Sequence, residues 1–465
     1  MNDFLSFTKK INVAIGYKKS YDVGLREMHI FEKQINIYFL TGLVDSLQAI
    51  EIVQGILSIP RNKKFSFDLI KENLAHHSLT ILKTFEEIVF DILNGMIVIV
   101  LEGYSDGISI DVRSYPTRSI SEPDMEKVIR GSHDGFNENF HTNIQLLRRR
   151  IKDGRLRNVL FKIGEASPSY VCLSYLEGVC QENLVLDIKQ KLQSIRTDHL
   201  IMSDKALEEM LIPQKKFNAY PLVRYTERAD TVAVHLYQGM FAIFVDTSPS
   251  VILAPCTFFD HIQHLEEYRQ TPISGTYLRL VRFLGVFVSL FLTPIWLLLV
   301  QNDSLPGILS IFRPNQEITI NIFLQVILAE IGVEFLRMAS IHTPTALSTA
   351  MGLIAGILIG DIAVEIGLFS IQTVLLVALS AIGTYVTPSY ELGLANKISK
   401  LLFIVAIILF NWWGFLVMVA LWFIYLVRIK VFGKNYLYPL FPFDFKRLLK
   451  VIIRFPYLRK KRRND

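Results

Sequence analysis

The C-terminal half of the chain carries apolar runs that are unusually long for a soluble protein. Residues 283–300 include no charged side chain, and residues 401–427 form a longer uncharged run that is interrupted only by Asn411. An α-helix rises about 1.5 Å per residue, so each run is long enough to cross a hydrocarbon core of roughly 30 Å. The pattern therefore predicts membrane-spanning helices in this half.

Three weaker apolar segments lie between the two long runs. Residues 318–336 and 351–369 each contain acidic residues, and residues 371–386 are uncharged but short. We expect four crossings and one re-entrant helix. Six crossings would require residues 401–427 to fold as a hairpin around residues 411–414, and each arm of that hairpin would be short for a crossing.

The first 270 residues contain an internal duplication. Residues 37–57 and 172–192 both have the pattern of a strand, a glycine-containing turn and a helix, and their turn glycines, Gly42 and Gly178, are 136 positions apart. A second pair, around Gly95 and Gly239, recurs 144 positions apart, and each member leads into an alternating apolar strand, MIVIVLE or MFAIFVD. Such alternation is typical of β-hairpins or meanders. The near-constant offset predicts two copies of one α+β unit.

These patterns predict an α+β cytosolic region of two duplicated subdomains, followed by an all-α polytopic membrane domain. The predicted segments are a first subdomain at 1–116, a charged helical connector at 117–160, a second subdomain at 161–270, a transmembrane domain at 271–430 and a basic cytosolic tail at 431–465. The connector is expected to hold a helix at about 137–151. It is either a solvated linker or a docking surface for a partner protein, with the arginines at 148–150 supplying charge-assisted hydrogen bonds.

The distribution of charge orients the predicted membrane domain. Charged residues make up 20% of the chain but crowd into the first 270 residues and the last 40, and the mean hydropathy is +0.35. Residues 428–463 hold twelve Lys or Arg against one acid, Asp444. By the positive-inside rule the C-terminus is cytosolic, and a basic segment directly after a span predicts contact with anionic lipid headgroups rather than with nucleic acid. The N-terminal segment lacks the features of a secretory signal, so we expect the first 270 residues in the cytosol as well.

Two motifs of common enzyme classes are missing from the sequence, which contains no H-E-x-x-H and no P-loop. The three cysteines, Cys172, Cys180 and Cys256, form no CxxC pair and predict neither a disulfide framework nor a zinc site. We therefore expect no enzymatic activity, no cofactor and no metal site.

Ionisable residues interrupt the apolar segments, and at membrane depth they need either a partner or a water-filled path. Glu330 and Glu334 are four residues apart and share a helix face, and Arg337 is placed to pair with Glu334. Asp361 and Glu365 have the same spacing and no basic neighbour. These five residues are candidates for the lining of a cation path, by analogy with the charged rings of channels. Alternatively, they lie at the membrane interface or pair within the bundle.

A stripe of glycines precedes Asp361. Gly352, Gly356 and Gly360 are spaced as GxxxGxxxG, a pattern that lets another helix backbone approach closely. Asp361 follows about 100° round the helix. One face of this segment is therefore expected to pack in an oligomer, while an adjacent face meets water.

Several long stretches of the sequence resemble the A subunits of spore germinant receptors, the GerA family. They include AYPLVRYTERADTVAVHLYQG at 219–239 and RSISEPDMEKVIRGSHDGFNENFHTNI at 118–144. Residues 245–285, 332–369 and 386–397 match in the same way, so the resemblance covers most of the chain.

The resemblance implies an integral protein of the spore inner membrane that acts in germination, with both termini on the cytosolic side, in the spore core. It also implies a pentamer-like oligomer whose opening releases monovalent cations such as potassium. The implied partners are membrane lipids, further copies of the chain and other germination membrane proteins. Because nutrients are recognised chiefly by a separate B subunit in such receptors, this chain is expected to amplify the ion release that the receptors start.

Two other classes of function stay open on the sequence. A secondary transporter would need broken helices at a midplane site, and Pro344, Pro388 and the glycines at 352–360 offer breaks, although no inverted repeat is visible in the membrane part. A non-conducting membrane scaffold would also fit the duplicated cytosolic region.

Overall fold

The computed structural model divides into two compact units. The first unit contains the described residues up to 212 together with Val223–Pro255, and the second contains residues 218–222 and the described residues from Cys256 onward. The ranges that the structure describes are 2–30, 33–60, 66–74, 76, 78–114, 133–212, 218–301, 312–314, 320–342, 352, 356 and 361–456.

The first unit is an α+β region. Its helices are α1 (Asn2–Ile15), α2 (Ser46–Leu57), α3 (Phe67–Asn73), α4 (Phe85–Leu93), α5 (Phe140–Arg150), α6 (Glu182–Ser194), α7 (Ser203–Leu211) and α8 (Ala229–Tyr237). Its strands are β1 (Val23–Ile30), β2 (Lys33–Leu40), β3 (Leu79–Leu82), β4 (Ile97–Leu101), β5 (Gly107–Ile110), β6 (Leu156–Ile163), β7 (Ser169–Leu176), β8 (Arg224–Thr226), β9 (Phe241–Val245) and β10 (Val251–Ala254).

The strands form two antiparallel sheets with the same topology. The first has the order β1-β2-β4-β5-β3, and the second has the order β6-β7-β9-β10-β8. Each strand of the second sheet therefore occupies the position of its counterpart in the first. The predicted duplication and the predicted α+β class are confirmed.

Alternation along the strands explains why the first sheet is covered on both faces. In β4, Ile97 and Ile99 belong to an apolar cluster with α2 and α3, whereas Val98 and Val100 belong to a cluster with α1 and α4. Successive side chains of a strand point to opposite faces, so a strand of continuous apolar sequence serves two cores.

Matched glycines make matched turns in the two copies. Gly42 follows β2 with φ +85°, and Gly178 follows β7 with φ +77°. Only glycine adopts this left-handed conformation at no steric cost, which lets the chain turn sharply from the strand into α2 or α6.

The helix predicted as a connector belongs to the second copy. α5 precedes β6 and packs on α8, as α1 precedes β1 and packs on α4. The second sheet accordingly begins at Leu156, before the boundary at 160 that the sequence suggested. The polar, arginine-rich sequence of α5 hides this role, because two of its buried residues, Asn143 and Arg148, are themselves polar or charged.

A buried ion pair joins α5 to the first copy. The Arg148 guanidinium donates from Nε to Asp22 Oδ2 at 2.8 Å and from Nη2 to Asp22 Oδ1 at 3.1 Å, and both side chains are almost fully buried. Ser20 donates a further hydrogen bond to Asp22 at 2.6 Å. Burial alone would raise the pKa of Asp22, but Arg148 and these hydrogen bonds outweigh it and hold that pKa below its ordinary value.

The second unit is mainly helical. Its helices are α9 (Leu265–Arg269), α10 (Pro272–Val300), α11 (Ile322–His342), α12 (Ala363–Glu365), α13 (Ile371–Val386), α14 (Tyr390–Arg428) and α15 (Phe445–Ile452). A short β-hairpin of β11 (Lys430–Val431) and β12 (Lys434–Asn435) follows α14.

The long helices form a bundle with two distinct ends. At the near end, where α10 begins, Gly285 of α10 lies against Gly383 and Val386 of α13. At the far end, α10, α11, α12, α13 and α14 share one apolar cluster. Its buried members are Trp296, Leu297, Leu298, Val326, Ala329, Ala363, Phe369, Leu376, Val377, Ile404 and Ile407.

The chain reverses direction within α14. Asn411 has φ 52° and ψ −135°, which breaks the helix. The Phe403 ring then lies 6.0 Å from the Phe415 ring and 6.1 Å from the Trp422 ring. In a straight helix, residues 403 and 422 would be about 28 Å apart. α14 is therefore a helical hairpin with a first arm at 390–410 and a second arm at 412–428.

The expectation that residues 401–427 form one crossing is wrong. The arms of a hairpin looked too short because the apolar run begins at Leu401, after two lysines. In the structure the first arm begins at Tyr390, since Lys397 and Lys400 form ion pairs inside the bundle and the helix tolerates them there.

Residues 218–222 hold the two arms together. The Tyr220 hydroxyl lies 2.9 Å from Ser399 Oγ on the first arm and accepts a hydrogen bond of 2.6 Å from Trp422 Nε1 on the second. Tyr425 donates to Asn218 at 2.7 Å.

Replacing Arg148 by Met should lower the free energy of unfolding of the first unit by about 3–5 kcal/mol, because Asp22 would stay buried without its partner. All four tryptophans lie in the helical unit, so hydrogen exchange of β1 and β2 in the full-length protein is the suitable measurement. The control is Arg155→Met, which removes a largely exposed pair with Asp153 and should cost less than about 1 kcal/mol.

The pH dependence of stability tests the same ion pair. An unfolded Asp has a pKa of about 3.9. Because the folded pKa of Asp22 is lower, the ion pair stabilises the wild type above the unfolded value, and this stability is lost as the pH falls through the folded value. In Arg148→Met, burial raises the pKa of Asp22, so the deficit relative to wild type should narrow in acid. A deficit that is constant with pH would contradict the ion-pair explanation.

Gly414→Ala should destabilise the helical unit by about 1–3 kcal/mol through overpacking. A Cβ at position 414 would lie 2.1 Å from the Ala406 carbonyl oxygen, where the two arms meet. Tryptophan fluorescence during urea unfolding measures the change in this unit. Val417→Ala, at an exposed position on the same arm, is the control; equal unfolding midpoints for the two variants would contradict the hairpin.

Candidate functional site in the helical unit

A buried ion pair lies at the centre of the bundle. Lys400 Nζ on the first arm of α14 is 2.6 Å from Glu330 Oε1 on α11, and the Lys400 and Glu330 residues are 1% and 2% exposed. Lys400 also donates to Ser380 Oγ of α13 at 2.9 Å. One ammonium group thus ties three helices together.

A second acidic side chain, one helical turn from Glu330, also forms ion pairs. Glu334 pairs with Lys397 at 2.6 Å and with Arg337, which lies one turn further along α11. The Arg337 guanidinium also stacks over the Tyr390 ring, with its Cζ 4.9 Å from the ring centroid. The predicted pairing of Glu334 with Arg337 is present in the structure.

Helical spacing explains why the two acids of α11 pair with the two lysines of α14. Glu330 and Glu334 are four residues apart on α11, and Lys397 and Lys400 are three apart on the first arm, so each helix presents two like charges on one face. The helices run in opposite directions, because Val326 of α11 lies in the far-end cluster whereas Arg337 lies beside Tyr390. Each acid therefore meets one lysine.

Uncharged polar groups close the bundle at the far end. The Gln325 side-chain oxygen accepts from the Ser370 backbone N–H at 2.9 Å and from the Thr373 hydroxyl at 3.1 Å. Gln325 in turn donates to the Ile320 carbonyl at 2.8 Å. These bonds fix the start of α13 against α11 and satisfy buried polar groups in apolar surroundings.

Asp361 and Glu365 have a different environment. Both are exposed, at and just before α12, and neither forms an ion pair with a residue in the described ranges. Ala363 between them belongs to the far-end cluster. The structure therefore separates the five predicted residues into an internally paired set, Glu330, Glu334 and Arg337, and an exposed set, Asp361 and Glu365. Their role in a cation path stays a prediction.

The predicted packing glycines lie partly within the described residues. Within the described chain, no atom comes within 4 Å of a Cβ built on Gly352 or Gly356. Gly360 lies outside the described residues. The stripe is therefore open at its two described positions, and packing of an oligomer there stays a prediction.

The partners of the acids were missed by sequence reasoning. In the sequence, Lys397 and Lys400 stand just before the apolar run at 401–427, although their spacing places both on one face of the helix that Ser389 caps. Two acids and two bases on two apolar helices are a signal that could have identified the pairs. Nothing local points to Tyr220, since its contacts are nearly 180 residues away along the chain.

The fold and the site together define a protein class: a duplicated α+β region followed by a helical unit with internally neutralised charges. Among the described residues, Pro272–Val300 and Tyr390–Arg428 are long and apolar enough to cross a membrane by length and composition, the second of them being the hairpin. Residues 10–465 match the family described as Bacillus/Clostridium GerA spore germination protein. The chain belongs to the GerA family.

The relatives of this chain include sporulation and germination proteins of Bacillus subtilis (strain 168). Over 444 residues the chain is 46% identical to Stage V sporulation protein AF, covering 95% of this chain and 90% of the relative. It is 28% identical to spore germination protein KA over 96% of this chain and 84% of the relative. It is also 28% identical to spore germination protein A1, over 91% and 88% respectively.

One solved structure is similar over the N-terminal part of the chain. It is the crystal structure of the N-terminal domain of the A subunit of the Bacillus megaterium spore germinant receptor GerK3, with 24% identity and a TM-score of 0.41, covering 54% of this chain and 94% of that chain.

Lys400→Met should lower the stability of the helical unit by about 3–5 kcal/mol, because it leaves the Glu330 carboxylate buried and unpaired. The double variant Glu330→Met with Lys400→Met should recover most of that loss, since apolar groups of similar size can replace a buried pair. Urea unfolding of the purified protein, followed by tryptophan fluorescence, measures both changes.

Lys430→Met, at an exposed position after α14, is the matched control and should change stability by less than about 0.5 kcal/mol. A double variant as unstable as the sum of its single variants would show that the two side chains are not coupled.

Proposed function

We propose that the chain is a membrane component of spore germination that assembles as a homo-oligomeric, pentamer-like channel for monovalent cations. In this proposal it lies in the spore inner membrane with both termini on the cytosolic side. Opening of the channel amplifies the ion release that nutrient germinant receptors begin. Membership of the GerA family over nearly the whole chain is the observation that carries the proposal.

The directions of the helices support a membrane domain with both ends on one side. α10 and the first arm of α14 run from the near end to the far end, whereas α11, α13 and the second arm run back. Arg337 lies at the near end and Ala363 lies at the far end. The proposal therefore takes one further crossing between these two residues, which makes six in all, an even number that agrees with a cytosolic C-terminus.

The distribution of charge supports different roles for the acids. Glu330 and Glu334 are neutralised by Lys400, Lys397 and Arg337, so they hold α11 against α14. Asp361 and Glu365 are exposed acids at the far end of an apolar bundle. In an oligomer they would repeat around an axis and form a ring that attracts cations. No contact with a described residue occupies the space beside Gly352 and Gly356, and the proposal places a neighbouring helix there.

The double variant Asp361→Asn with Glu365→Gln should reduce potassium efflux from proteoliposomes several-fold, because it removes the carboxylates that concentrate cations at the pore mouth. Efflux from liposomes of equal protein content, measured with a potassium-sensitive dye or by planar-bilayer recording, tests this prediction. Glu391→Gln is the matched control, since it removes an exposed acid from the first turn of α14 in the same unit.

Each outcome distinguishes one function from another. No efflux from the wild type, in the presence of its germination partners, would indicate a non-conducting scaffold. Saturable, solute-coupled flux without single-channel steps would indicate a transporter. Equal conductance in the wild type and the double variant would show that Asp361 and Glu365 do not line the cation path, and it would still support a channel.

A further inference from the structure

The helix α15 has two chemically opposite faces. At about 100° per residue, its basic side chains fall on one side and its apolar side chains on the other. The basic set is Lys446, Arg447 and Lys450, and the apolar set is Phe445, Leu448, Leu449 and Ile452. None of its residues is buried. This is the pattern of a helix that lies along a membrane surface, with low overall hydrophobicity and strongly segregated faces.

Three phenylalanine side chains in and next to α15 are exposed. Phe443, Phe445 and Phe455 are 67%, 63% and 51% exposed. Three exposed phenylalanines within thirteen residues are unusual for a segment that stays in water, because each leaves a large apolar surface hydrated.

Specific bonds fix α15 to the beginning of α10. Arg279 Nη1 of α10 donates to the Lys450 carbonyl at 2.8 Å and to the Val451 carbonyl at 3.2 Å. The Arg454 backbone N–H donates to Thr276 Oγ1 at 3.1 Å. Arg279 is itself held by the buried Glu267 carboxylate at 2.7 Å. The last turn of α15 is therefore placed immediately before the uncharged run 283–300.

We propose that α15 and the phenylalanines beside it form a binding site for anionic phospholipid headgroups at the near end of the bundle. The inference rests on the membrane location given under the proposed function. The phenylalanines and the apolar face of α15 insert at the boundary between headgroups and acyl chains, and the lysines contact headgroup phosphates. Charge complementarity favours this occupant, because residues 428–463 hold twelve basic residues and one acid.

The bonds from Arg279 couple this site to the helical bundle. A basic segment without fixed structure would be attracted to anionic lipid but would transmit nothing to the bundle. α15 shares hydrogen bonds with the first turns of α10, so the depth of the helix in the membrane sets the level at which α10 enters it.

Spin labels on the full-length protein test the proposal. The native cysteines are buried, so an introduced cysteine can be labelled selectively. The test position is Phe445→Cys, with reference labels at Leu284→Cys on the exposed face of α10 and at Leu186→Cys on α6. Collision with oxygen and with a water-soluble nickel chelate is measured in nanodiscs of phosphatidylcholine, with and without phosphatidylglycerol.

In discs that contain phosphatidylglycerol, the label at 445 should be open to oxygen and protected from nickel, at a depth of roughly 5–10 Å below the phosphates. Neutralising Lys446 and Lys450 to Gln should abolish the dependence on phosphatidylglycerol. The matched variant Lys9→Gln with Lys10→Gln, which removes two exposed lysines of α1, should keep it.

Three outcomes would overturn the inference, and they differ from one another. Nickel access at 445 equal to that at 186, with 284 still protected, refutes the lipid site alone. Nickel access at 284 as well refutes the membrane location on which it rests. Protection of 445 from both reagents shows that protein, rather than lipid, covers the helix.

Discussion

The helical unit depends on the ion pair between Glu330 and Lys400. A charged side chain cannot be removed from water without a large penalty unless it meets an opposite charge in good geometry and its remaining hydrogen bonds are made. Lys400 meets both conditions, because its ammonium group reaches Glu330 and Ser380. This single contact fixes the register of α11 against α14 and draws α13 to the same point. Such a pair contributes specificity of arrangement more than net stability.

The same physical constraint applies in the α+β unit. Asp22 and Arg148 are as thoroughly buried, and Ser20 completes the hydrogen bonding of the carboxylate. Arg148 stands on α5, the first element of the second copy, whereas Asp22 precedes the first strand of the first copy. The pair is therefore a fixed link between two sheets that are otherwise repeats of one another. In both units, a polar contact between distant parts of the chain determines how apolar elements are aligned.

The acids of the helical unit differ in whether a base neutralises them. Glu330 and Glu334 form ion pairs with lysines of α14, whereas Asp361 and Glu365 are exposed beside the far-end cluster. At the other end of the bundle, α15 and its basic face are attached to α10 through Arg279. In the proposed channel, the exposed acids would face cations at one end of the helical unit, and the basic face of α15 would meet anionic lipid at the other.

Local patterns in the sequence determined much of this molecule. Strand alternation, glycine turns and the repeated offset predicted two α+β copies, and apolar runs predicted the long helices, because both depend on spacing within a few turns or strands. The spacing of Glu334 and Arg337 predicted their pairing for the same reason. Long-range contact decided the rest. Lys400 is 70 residues from Glu330, Arg148 is 126 from Asp22, and Tyr220 is 202 from Trp422. Only the folded chain shows that these groups meet, and the reversal at Asn411 became possible because the lysines of its first arm are neutralised by acids on another helix.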